Sequence, residues 1–172
     1  MKKLIGLFLF ISLGLQAQTT SFPESGFRAN FPKQPEISKS QVDTKIGKID
    51  ITTYTYEGEE FLLLLSKNEY PKDMVEKLDK AGLKGIIDGA KLGAIKNIET
   101  QMGGEFKKSE DHDFQFNGKY VANTFSGTIS DVDLTTTAIM KGNQFYIIMI
   151  IGNTKADAAT QFMKSFNLIE PK

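Results

Sequence analysis

The sequence predicts an α+β domain: a central, mainly antiparallel sheet flanked by helices on both faces, in an α/β/α sandwich. Three observations carry that prediction. Turn residues separate apolar runs at hairpin spacing, two of those runs are apolar at every position, and other stretches carry apolar residues at helical period.

Met1, Lys2 and Lys3 lead into an apolar run over residues 4–15, the pattern of a secretory signal. The run is shorter than the roughly 20 apolar residues of a spanning helix. Cleavage is expected after Ala17, so residues 1–17 read as the signal peptide, 18–25 as a polar, flexible leader and 26–170 as a single α+β domain. A periplasmic or secreted chain follows, one that is not an integral membrane protein once the signal is removed. There is no cysteine, which removes disulfides, thiol catalysis and thiolate metal sites. The 21 basic and 21 acidic residues balance, and losing Lys2 and Lys3 with the signal leaves a slight acidic excess. No basic stripe is present, so nucleic acid is excluded as a partner.

Strands come first. Ile46-Gly47, Glu57-Gly58, Asn117-Gly118 and Gly142-Asn143 each separate apolar runs, and short Gly- or Asn-containing loops pair their flanking strands antiparallel. Residues 61–65 and 145–151 are apolar throughout. A strand with one wet face would alternate, so both belong near the middle of the sheet, covered above and below. Ile49, Ile51, Thr53 and Thr55 do alternate with their neighbours, which suits a less buried strand.

Helices supply the covering layers. Thr154-Lys155-Ala156-Asp157 resembles a capping box, after which Ala159, Phe162, Met163 and Phe166 follow at i, i+3, i+4 and i+7. An earlier helical region is expected to open with Pro71 in its first position and to be interrupted at Gly82. Beyond it, Leu83, Ile86, Ile87, Ala90, Ala94 and Ile98 line one side of a segment that ends before Gly103-Gly104.

Sites are sparse. His112 is the only histidine, flanked by Glu110, Asp111 and Asp113. Adjacent residues on an extended segment point in different directions, so these do not form a ligand set, and a solvated polar segment is the expected role. The other reading is a weak ion site or a pH-sensitive contact. Asp131 and Asp133 suit a polar hairpin turn better than a calcium site, which needs six to eight oxygens. Gly82, Gly85, Gly89 and Gly93 form a stripe without side chains. Close approach of the sheet or another helix is the expected reason; local unwinding or a partner received on the bare backbone is the alternative. No nucleophile elbow, phosphate loop, dinucleotide fingerprint or His-Glu-x-x-His occurs. No catalytic, cofactor-binding or metal residue is assigned, and the chain reads as no enzyme.

Gly26-Phe27, then Phe31-Pro32 and Pro35, Tyr70-Pro71, Asp88-Gly89-Ala90, and Phe162 with Ser165-Phe166 resemble small exported bacterial domains that share the fold of PsbP, the extrinsic photosystem II subunit. The resemblance spans nearly the whole mature sequence. It implies a central antiparallel sheet flanked by helices and no reaction, since members of that fold class act as adaptors or assembly factors that bind other proteins. The expected function is therefore a non-catalytic exported binding or accessory module for a protein or cell-envelope component. The alternative is a carrier of a small apolar ligand held between sheet and helices. An open sheet edge could support pairing, but the sequence does not fix which strand supplies it.

Overall fold

The turn residues and the two apolar runs organise a seven-stranded sheet in the computed structural model, which describes residues 20–44 and 47–170. Its strands are β3 (Glu36–Thr44), β4 (Gly47–Glu57), β5 (Phe61–Glu69), β6 (Lys107–Phe116), β7 (Tyr120–Ile129), β8 (Val132–Lys141) and β9 (Gln144–Gly152). They lie side by side as β3-β4-β5-β9-β8-β7-β6, and every pairing is antiparallel. Two hairpin blocks thus meet at β5 and β9, where Leu65 faces Ile148 and Leu63 faces Ile150. The fully apolar run of β9 lies in the middle of the sheet with β5 beside it.

Each face has its own cover. On one, α2 (Lys80–Met102) lays Ile87 and Ile98 over Phe125, Leu134, Met140, Phe145 and Met149. On the other, α3 (Asp157–Ser165) brings Ala159 and Phe162 onto a core containing Leu63, Leu65, Ile148 and Ile150. Fully burying a Leu, Ile or Phe contributes about 1.5–3 kcal/mol, so both covers are strongly held.

That second face is also closed by a small sheet that the sequence does not announce. β1 (Thr20–Phe22), β2 (Phe27–Ala29) and β10 (Asn167–Leu168) form it in the order β1-β2-β10. The later part of the expected flexible leader is therefore structured: Phe22 stacks on Phe27 at 4.8 Å, Pro23–Ser25 form a 3-10 turn, and Ser25 is buried. Gly26 turns the chain there with φ 73°, and a Cβ on it would lie 2.7 Å from the Tyr146 hydroxyl, so only glycine fits. The expected signal peptide lies outside the described residues, as does Ile46 of the first turn.

Two helix starts differ from expectation. Pro71 caps the short α1 (Lys72–Val75) instead of opening it, and the interruption falls at residues 76–79, ahead of Gly82. Asp79 takes an extended conformation, and its carboxylate accepts the Gly82 N–H at 2.8 Å, so α2 begins before Gly82 and runs through it. The capping box at Thr154 does not form either. Helix α3 starts at Asp157 with Ala156 as an N-cap that makes no side-chain bond, while the Asn153 side chain accepts the Lys155 N–H. The C-terminus of α2 does fall before Gly103, which sits at φ 69° as a left-handed cap.

Candidate functional site

Strand alternation sorts the residues around His112. Asp111 and Asp113 project from β6 toward α2, whereas Phe114 and Phe116 belong to the α3-side core, and His112 shares their phase. The histidine ring lies 6.1 Å from that of Phe114. The two aspartates meet lysines that stand about two turns apart on α2. Lys91 Nζ lies 3.0 Å from Asp111 Oδ1, and Lys84 Nζ lies 2.9 Å from Asp113 Oδ2 and 3.1 Å from Asp88 Oδ1.

Asn123 on β7 ties the two carboxylates together from beneath. Only 2% exposed, it donates through Nδ2 to Asp111 Oδ1 at 3.0 Å and to Asp113 Oδ1 at 2.9 Å. Those donated hydrogen bonds, with Lys91 and Lys108 adding positive charge, hold the Asp111 carboxyl at about 2. The Asn123 amide and then Lys84 lower Asp113 in the same way. A carboxylate so stabilised is a poor general base near neutral pH. A 590 Å³ cleft opens at this cluster, but its carboxylates and lysines are engaged with one another. The arrangement fastens β6 to α2.

The remaining sequence candidates do not gather into a centre. Asp131 sits in the β7–β8 turn with φ 63°, and Asp133 lies on the following strand. Among the described residues, no group of three or more His, Asp or Glu is placed to hold a metal ion. The glycine stripe corrects an expectation at three of its four members; Gly82 alone is crowded, by the Leu78 side chain 2.9 Å from where its Cβ would lie. A Cβ at Gly85, Gly89 or Gly93 would meet nothing within 4 Å, so these glycines do not mark close packing against the sheet or another helix. They form the outer ridge of α2, beside Leu92, which is 66% exposed.

Sequence reasoning left one candidate element unplaced, the open sheet edge. β3 bonds to β4 on one side and ends the sheet on the other. All nine of its residues are exposed, and Ile37 and Val42 stand 46% and 45% open on opposite faces of the strand. Beside it lies a 460 Å³ groove that includes Phe22, Ile37, Lys39, Tyr54, Lys67 and Glu69 in its lining. Lys67 is buried at its floor, pairs with Glu69 and donates to the Glu24 carbonyl at 3.2 Å. Charge in the groove is thus balanced, and what β3 chiefly offers is an open backbone edge with apolar side chains on each face.

No family model matches the chain, and no curated protein matches it. Among solved structures, it is similar to PA94 from Pseudomonas aeruginosa, a protein of unknown function described as a putative regulator. That likeness covers 78% of this chain and 99% of PA94 at 12% identity, with a TM-score of 0.42.

Proposed function

We propose that this chain is a non-catalytic, exported accessory module that binds another polypeptide by strand addition along β3. The observation that carries the reading is the nine-residue edge of β3, exposed on both faces, with Ile37 and Val42 uncovered. An added strand would gain main-chain hydrogen bonds from the edge and specificity from alternate side chains. The secretory pattern of residues 1–17 supports a periplasmic or secreted setting, and no helix of the described residues is long and apolar enough to cross a membrane. The resemblance to PsbP-like adaptor domains points the same way. An apolar ligand between sheet and helices is less favoured, because side chains of three apolar clusters occupy the faces where it would lie.

A photoreactive residue at Val42, compared with one at His112 on the opposite edge, tests the proposal in the native envelope. Reproducible polypeptide adducts from position 42 that are absent from position 112 support it. Adducts from neither position, or equally from both, overturn it.

A further inference from the structure

The charges on β3 match a second copy of β3. When two identical strands pair antiparallel about a two-fold axis, residue i faces residue j of the other copy, and j faces i. One residue must then face its own counterpart. With Gln41 in that place, Lys39 faces Asp43 of the second copy, Asp43 faces Lys39, and Ser40 faces Val42. Two ion pairs form together, and no like charges stand opposite. Moving the axis to Lys39 sets two lysines face to face, moving it to Val42 sets Gln41 against Asp43 and forms no ion pair within β3, and moving it to Ser40 sets Ile37 against Asp43.

The residue on the axis is suited to its place. Asp50 on β4 accepts from Gln41 Nε2 at 2.6 Å, which leaves one amide hydrogen and the amide oxygen to exchange with the opposite Gln41. On the other face, Val42 lies diagonal to its own copy, within the reach of apolar cross-strand pairs.

We propose that β3 pairs antiparallel with β3 of a second copy of this chain, about a two-fold axis through Gln41, joining two sheets into one. The inference rests on the reading of β3 as the binding element and names its occupant. An edge this short makes a small interface, so the dimer is weak and concentration-dependent.

The cysteine-free sequence allows a direct test on the full chain. Under mild oxidation Gln41→Cys should form an intermolecular disulfide, and Ser40→Cys, which faces Val42, should form far less. In sedimentation velocity, Lys39→Asp should weaken association about tenfold, because like charges then face each other at two places. The Lys39→Asp/Asp43→Lys double variant exchanges the charges and should restore it. A wild type whose sedimentation does not change with concentration overturns the inference, as does a dimer indifferent to Lys39→Asp or equal crosslinking by both cysteine variants. The Val42 photocrosslink separates this failure from that of strand addition itself. A foreign polypeptide captured there removes the second copy and leaves β3 as the binding element, whereas no adduct removes both.

Discussion

Strands β3 and β6 end the same sheet and are finished in different ways. β6 carries a register shift between Lys108 and Glu110 and a dense run of charge, and two of its aspartates are clamped to lysines of α2. It also sends Phe114 and Phe116 into the α3-side core. A bulge and charge are standard protection against unwanted strand pairing. β3 pairs with β4 without a register shift, packs none of its side chains into a core and shows an apolar residue on each face. The β6 edge, closed down against α2 and broken by a bulge, carries features that discourage strand pairing, and the β3 edge carries neither bulge nor clamp.

The largest effect that would sharpen this contrast is expected beneath the closed edge. Phe125 is 1% exposed, paired from β7 with Asp111 of β6, and lies below Lys91. Phe125→Ala should cost about 3–5 kcal/mol in urea unfolding, whereas an equally small loss for Phe125→Ala and Val42→Ala would break the contrast. A smaller, pH-dependent effect should come from Asp111. Its carboxyl is held at about 2 against an ordinary 3.8, so its contribution is complete above the ordinary value and is lost as pH falls toward about 2. Asp111→Asn should accordingly be less stable than wild type at neutral pH, with the gap closing in acid. A gap that stays constant down to pH 2 would remove the clamp.

Below these lies the bare ridge of α2. Gly89→Ala adds a methyl group where nothing stands within 4 Å, and it should raise stability by about 0.5–1 kcal/mol in thermal unfolding. A loss would mean that the ridge is covered. The smallest effect belongs to the open edge: Val42→Lys should change the unfolding free energy by no more than about 0.5 kcal/mol while weakening association. A loss of about 2 kcal/mol or more would show β3 to be part of the folded core.

What the sequence disclosed depended on whether a signal was local. β5 and β9 were legible because strands covered on both faces carry no polar alternation, and α2 and α3 showed their apolar stripes. The small sheet was not legible, since Phe27 meets its partner Leu168 from the far end of the chain, and nothing in residues 20–25 marks that pairing. The ion cluster was hidden for a related reason: Lys84 and Lys91 carry no local mark of their partners, which appear only when the helix is laid against β6. Asn123 left a trace, a polar residue in phase with Val121, Phe125 and Ile129 on the buried side of β7. The position of the glycine ridge could also have been read. Gly85 and Gly89 each stand two residues from Ile87, about 200° around the helix, which places them opposite the buried stripe.

The junction of β5 with β9 sets an order of events during synthesis. The greasy run at residues 61–65 is complete about 80 residues before its mate at 148–150 exists. At typical ribosomal speeds that interval lasts about 4–16 s. For that time a sticky ribbon must stay with its own hairpin or be guarded by a chaperone, so the nascent chain is most vulnerable to aggregation before its last hairpin emerges.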